Sequence, residues 1–179
     1  HDEKKKAKRL TTRARLEKAI IGNDIDTIKR YIKQPNAVID FNGILDPKHV
    51  INYLIQHHHH DTFALLLQRT NTTGTINQAM IDHMALFATA SNNSRTLAYL
   101  VDEFNANLNT SRPQTPTHLR IAADYNYTAL LDYLISEGAS LDYQNTYSES
   151  ALFGAAYHGH LAIVDRLIDA GADINLSSL

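Results

Sequence analysis

The chain has 179 residues, of which 44% are hydrophobic and 20% charged, a balance typical of one globular domain or a short repeat array. Its net charge of −2 offers no general attraction to nucleic acid, so we expect nucleic acid to be an unlikely partner. The absence of cysteine excludes disulfides and thiolate metal sites and favours an intracellular location, in the cytoplasm or the nucleus. The aliphatic stretches are too short to predict a membrane span.

The N-terminal segment is basic and precedes the first predicted pair of helices. Residues 1–15 contain seven basic and two acidic residues, which fits either a localisation or anionic-surface signal or, as we favour, the solvated end of a repeat array. We assign residues 1–9 to a basic extension. The first unit, residues 10–42, then contains a helical pair in which Ile28, Tyr31 and Ile32 form the apolar stripe of the second helix.

Four consecutive histidines, residues 57–60, lie in the second predicted unit, residues 47–75. Phe63, Ala64 and Leu67 form the stripe of its second helix, so the histidines are predicted to end the first helix and turn into the second. A metal site is disfavoured, because only some of four consecutive side chains can converge on one ion. A polar helix end and a recognition surface remain the alternatives.

Three further units, residues 77–109, 117–142 and 150–175, align at a step of 33 residues. In this alignment Ile163, Val164 and Leu167 match Leu130, Leu131 and Leu134, and then Leu97, Ala98 and Val101. Gly171, Gly138 and Asn105 follow the second helices, where a left-handed backbone favours Gly or Asn. The turn between the helices is predicted to place Gly159, Asn126, Asn93 and His59 in the same column.

These motifs resemble the ankyrin repeat. The last unit carries Ala155-Ala156, Gly159-His160 and the ending Gly171-Ala172-Asp173 with Asn175, and Thr117-His118-Leu119-Arg120 stands where the family has Thr-Pro-Leu-His. The similarity is closest over residues 117–175, weaker over 84–109 and degenerate over 10–69. The resemblance implies an all-α ankyrin-repeat solenoid of about five helix-turn-helix units joined by hairpin loops.

The resemblance also implies a binding surface, made of the positions that vary within the family. Tyrosine at such positions is a common interface anchor, whereas Tyr99 and Tyr133, on second helices, are expected to pack between repeats. The expected partner is a protein or peptide, and no cofactor, metal or catalytic residue is predicted. The candidate residues are His57, His58, Arg112, Gln114, Asp124, Tyr125, Asn145, Tyr147, Glu149, Tyr157 and His158.

The predicted function is therefore a non-catalytic protein–protein interaction module, with a monomer favoured. The alternative is the targeting or substrate-recruiting part of a larger enzyme or of a secreted bacterial effector, which would act in the host cell. A third hypothesis, nucleic-acid or membrane binding through residues 3–15, predicts a steep dependence on salt. Because the last predicted unit is the most regular, we expect the natural protein to continue beyond Leu179.

Overall fold

The described part of the chain is built from helices. The computed structural model describes residues 14–34, 47–71, 76–109, 116–145 and 147–176, and within them ten helices and no strand occur. The predicted all-α fold of helix-turn-helix units is thereby confirmed. The helices are α1 (14–21), α2 (Ile25–Ile32), α3 (Pro47–Gln56), α4 (His60–Asn71), α5 (Gln78–Ala90), α6 (Ser94–Phe104), α7 (His118–Asp124), α8 (Thr128–Ser136), α9 (Ala151–Tyr157) and α10 (Leu161–Asp169).

The helices belong to two compact units, His1–Asn77 and Gln78–Leu179, which we call the N-terminal and the C-terminal unit. The N-terminal unit contains α1 to α4, and Ile20, Ile28, Leu54 and Phe63 are at most 1% exposed in its core. A buried polar contact accompanies this core, since the hydroxyl of Thr62 donates to Oδ1 of Asn23 at 2.6 Å. The predicted basic extension, residues 1–9, and residues 35–46 between the first two helical pairs lie outside the described residues.

Every first helix ends in the same backbone turn. The second residue after the helix is left-handed, and the next amide donates to the carbonyl five positions earlier, which satisfies a carbonyl that the helix end leaves open. In the last turn Gly159 has a φ of 73°, and the amide of His160 lies 2.9 Å from the carbonyl oxygen of Ala155. The left-handed residues of the five turns are Asn23, His58, Asn92, Asn126 and Gly159.

Two of the predicted turn residues are therefore wrong by one position. Asn92 and His58 are left-handed, not Asn93 and His59. Asn93 instead caps α6, because its side chain accepts a hydrogen bond from the Thr96 amide at 3.1 Å. Asparagine suits a left-handed turn and a helix cap alike, so two consecutive asparagines do not reveal which one takes which position.

The same one-residue shift changes the buried stripe of α6. The residues that pack into the core are Thr96, Leu97 and Leu100, and the predicted Ala98 and Val101 are only partly buried. Equivalent core residues of α6 and α8 are thus 34 residues apart in the sequence, rather than 33. The predicted left-handed residues after the second helices are confirmed, since Asn105, Gly138 and Gly171 have φ values of 52°, 79° and 97°.

Small residues allow the first helices of the C-terminal unit to pack closely, α5 against α7 and α7 against α9. Ala88, Ala122 and Ala155 are fully buried, one on each of these helices. Within this C-terminal unit, side chains outside the helices also join successive repeats. The amide of Ser140 donates to Oδ1 of Asn109 at 2.7 Å. These contacts hold the exposed ends of the first helices in fixed relative positions.

His118 is a buried polar residue between α5 and α7. Its Nδ1 lies 2.7 Å from the Thr89 hydroxyl, which donates to the carbonyl of Ala85 at 3.0 Å, so the imidazole Nδ1–H donates to Thr89. Nε2 of His118 has no hydrogen-bond partner among the described residues. Burial lowers the pKa of His118 to about 4, although the charge of Asp82 and the backbone of Asn107 oppose the shift. His118 therefore stays neutral in the folded state.

We predict that His118 makes the protein less stable in mild acid. Its pKa is near 6.5 when unfolded and about 4 when folded, so below pH 6.5 the unfolded state binds a proton that the folded state refuses. Stability is therefore full above pH 6.5 and falls as the pH approaches 4. His118→Asn keeps a donor for Thr89 and does not titrate. Urea unfolding followed by circular dichroism should show the native chain losing about 2 kcal/mol more than this variant between pH 7 and pH 5. Equal losses would contradict the prediction.

Candidate functional site

The three tyrosines of the predicted surface are exposed in the C-terminal unit. Tyr125 follows α7 and is 64% exposed, Tyr157 ends α9 and is 75% exposed, and Tyr147 precedes α9 and is 71% exposed. In contrast, Tyr99 and Tyr133 are half-buried on second helices, as expected for packing residues. The exposed tyrosines therefore differ from the others in being available to a partner.

Phe153, Tyr157 and His158 form an exposed group of rings that we call the aromatic cluster. Phe153 and Tyr157 lie one turn apart on α9 and stack with ring centroids 6.1 Å apart, and the Tyr157 and His158 rings meet edge to face at 5.1 Å. His158 in turn stacks on His160, whose Nε2 lies 3.0 Å from the carbonyl oxygen of Asp124. The rings thus support one another on a short rigid helix.

Arg120 connects the aromatic cluster to two acidic residues. Its Nε donates to Asp124 Oδ1 at 2.7 Å, one turn away on α7, and its Nη1 donates to Glu149 Oε2 at 3.2 Å. The guanidinium carbon lies 5.7 Å from the centroid of the Phe153 ring, a cation–π distance. We call Arg120, Asp124 and Glu149 the Arg120 network. The Arg120 side chain is only 12% exposed, so its positive charge interacts mainly with groups of the protein itself.

Asn145 organises the loop that carries Tyr147. Its Oδ1 accepts from the amides of Tyr147 at 2.9 Å and Glu149 at 3.0 Å, and its Nδ2 donates to Glu149 Oε2 at 2.8 Å. Ser148 has a φ of 59°, which turns the chain back. The bond from Asn145, and then the charge of Arg120, hold the pKa of Glu149 below its usual value. Asn145 and Glu149 therefore fix the loop, and Tyr147 is the side chain that the loop presents.

The predicted histidines lie in the N-terminal unit. His57 and His58 are exposed in the turn between α3 and α4, and the His57 ring lies 4.2 Å from that of Tyr53. The left-handed residue of this turn is His58 rather than the predicted His59, so His58 corresponds to Asn126 and Gly159. His57 accordingly corresponds to Tyr125 and His158. His59 points inwards, and burial, followed by the charge of His57, lowers its pKa.

Some of the predicted residues are not brought together, and two important ones were missed. Arg112 and Gln114 lie outside the described residues. Sequence reasoning missed Arg120 and Phe153, which join the carboxylates to the rings. The spacing of Arg120 and Asp124, four residues apart on a helix, was an available signal for an ion pair, but nothing local indicated Glu149 as its second partner.

Two other kinds of site find no support in the described residues. No group of three His, Cys, Asp or Glu residues among them is arranged to hold a metal ion. None of the helices in the part of the chain that the structure describes has the length and apolar character that crossing a bilayer requires.

The family comparison agrees with the arrangement of the helices. A family model described as ankyrin repeats, in three copies, matches residues 83–178, more than half of the 179 residues. The match covers nearly the whole C-terminal unit, including the aromatic cluster and the Arg120 network. No curated protein matches the chain.

We predict that Gly154 is required by the Arg120 network rather than by its own helix. A Cβ at this position would overlap with Asp124 Oδ1 and Arg120 Nε, whereas alanine is the better helix former by about 1 kcal/mol. Gly154→Ala should lower the free energy of unfolding by about 1 kcal/mol in the native chain, because overpacking outweighs helix propensity. It should raise that free energy in an Arg120→Ala/Asp124→Ala background. Urea unfolding of the four proteins tests this, and stabilisation in both backgrounds would refute it.

Proposed function

Because the chain belongs to the ankyrin repeat family, whose repeats are generally non-catalytic modules for protein–protein interaction, we propose that it binds a protein or peptide through the aromatic cluster and its neighbouring tyrosines. The binding surface is formed by the aromatic cluster together with Tyr125 and Tyr147, and we call it the tyrosine surface. Among the other predicted residues of the C-terminal unit that the structure describes, Asp124, Asn145 and Glu149 lie beside this surface and hold its loop and helix in place.

The observation that carries this proposal is the exposure of large aromatic side chains on a rigid support. Tyr125, Tyr147 and Tyr157 are each 64% exposed or more, although the transfer of a tyrosine ring out of water is favourable. Tyrosine loses little conformational entropy on binding and keeps a hydroxyl for hydrogen bonding, so such residues commonly anchor interfaces. Exposed groups of apolar rings are therefore expected where a partner binds.

The structure around the tyrosines favours binding with little rearrangement. The loop of Tyr147 is held by the Asn145 bonds, and α9 is held against α7 at Gly154. A surface that is already ordered spends less free energy on ordering when it binds. We place this interaction inside the cell, since a chain without cysteine suits a reducing compartment, and we favour a monomer as the binding species.

We predict that a triple variant, Tyr125→Ala/Tyr147→Ala/Tyr157→Ala, folds normally and loses its partner. Tagged native and variant chains are incubated with cell lysate, and the captured proteins are identified by mass spectrometry. Each buried anchor typically contributes about 2 kcal/mol, so losing even one weakens binding about thirtyfold. Circular dichroism should show an unchanged melting temperature, because the three rings make few contacts with the core.

A matched control removes three other exposed apolar residues from the same unit. Leu161, Ile168 and Ile174 are 74%, 45% and 66% exposed, and the variant Leu161→Ala/Ile168→Ala/Ile174→Ala should retain the partner. A partner lost by this control and kept by the tyrosine variant would assign the binding surface to α10 and the residues that follow it, and would refute our assignment.

A further inference from the structure

The two units have opposite charge. Residues 78–179 contain 11 Asp or Glu and four Lys or Arg residues, whereas residues 1–77 contain eight acidic and 13 basic residues. The small net charge of the whole chain therefore conceals a C-terminal unit with seven more negative than positive charges. The tyrosine surface lies in this acidic unit, where the potential attracts cations and repels anions.

Two of the four cations of the C-terminal unit, Arg120 and Arg166, are paired with carboxylates. Arg166 on α10 donates to both carboxylate oxygens of Asp132, at 2.8 and 2.6 Å. Arg120 serves Asp124 and Glu149 together, so one positive charge is shared between two negative charges at the aromatic cluster. The Arg120 network thus carries an excess negative charge beside the exposed rings.

Acceptor oxygens of this network remain available to a partner. Within the described residues, no donor reaches Asp124 Oδ2 or Glu149 Oε1, and the two side chains are 24% and 30% exposed. Asp124 lies next to His158, with Nε2 and Oδ1 3.9 Å apart, and Glu149 is joined through Arg120 to Phe153. The carboxylates therefore flank the aromatic cluster.

The rings themselves are suited to a cation. Tyr157 is 75% exposed, and the face of a tyrosine ring attracts ammonium and guanidinium groups. The protein already places one guanidinium over this cluster, since Arg120 lies over Phe153. An exposed ring with carboxylates nearby can hold a further cation by both attractions.

We propose that the segment of the partner that binds the tyrosine surface is basic, with a lysine or arginine side chain that lies against Tyr157 and pairs with Asp124 or Glu149. This inference rests on the proposed function and specifies the chemistry of the partner. An acidic or phosphorylated segment would meet an excess of negative charge and a guanidinium that is already bonded. A purely apolar segment would leave the two carboxylates without compensation.

The test compares three fluorescein-labelled peptides of 12 residues that differ only in charge. Four positions in a Gly/Ser/Ala sequence are Arg in the first peptide, Gln in the second and Glu in the third. Fluorescence anisotropy measures their binding to the full chain. The Arg peptide should bind at least tenfold more tightly than the Gln peptide, the Glu peptide should bind most weakly, and the Kd of the Arg peptide should rise with salt.

Variants test whether the Arg peptide binds to the tyrosine surface or to the acidic unit in general. Tyr157→Phe keeps the ring and should leave the Kd of the Arg peptide within about twofold, whereas Tyr157→Leu, which keeps an apolar side chain, should raise it about two- to fivefold. Glu149→Gln retains an acceptor for Arg120 and should raise the Kd more than Glu103→Gln, the same change at an exposed position of α6.

The outcomes separate this inference from the proposed function. If the Gln or Glu peptide binds as well as the Arg peptide, or if none binds, the basic partner is refuted. Equal effects of Glu149→Gln and Glu103→Gln, or no effect of Tyr157→Leu, would also refute it. The tyrosine-dependent capture of a partner from lysate would then stand independently. If the triple tyrosine variant captures the same proteins as the native chain, the proposed function itself fails.

Discussion

The turn between the two helices of each pair is the constraint on which the rest of the structure depends. In all five turns one residue is left-handed, and the following amide bonds back to the carbonyl five positions earlier, as Tyr127 does to Ala122 at 2.9 Å. This bond reverses the chain within three residues and fixes which side of each helix meets the core. The left-handed residue is glycine once, asparagine three times and histidine once, so the geometry is kept while the residue varies.

Close packing of the first helices follows from these turns and positions the residues of the proposed binding surface. With the chain reversed at the same point in each pair, alanines meet across α5, α7 and α9, and Gly154 leaves room for the Arg120–Asp124 pair. The polar groups in this region bond mainly to one another. As a result, exposed rings and the partly exposed carboxylates of Asp124 and Glu149 lie side by side at the end of α9.

Three of the seven described residues of the predicted binding surface in the C-terminal unit have a structural role. Asn145 and Glu149 were selected as loop positions that vary within the family, and they hold the loop together. Asp124 pairs with Arg120, and its side chain is 24% exposed. The rings of the three tyrosines are instead mostly in solvent. A variable position therefore indicates freedom from the repeat pattern, and only the contacts distinguish support from recognition.

The sequence by itself determined the fold class, the helical pairs and the left-handed residues after α6, α8 and α10, because apolar periodicity and the conformational freedom of Gly and Asn are local properties. The sequence also fixes every charge, but the division into a basic and an acidic unit needed the tertiary structure. Only the tertiary structure decided which of Asn92 and Asn93, and which of His58 and His59, forms the turn, because each residue type tolerates either position. It alone joined Arg120 to Glu149, 29 residues away, since a hydrogen bond between side chains on successive repeats leaves no periodic signal in the chain.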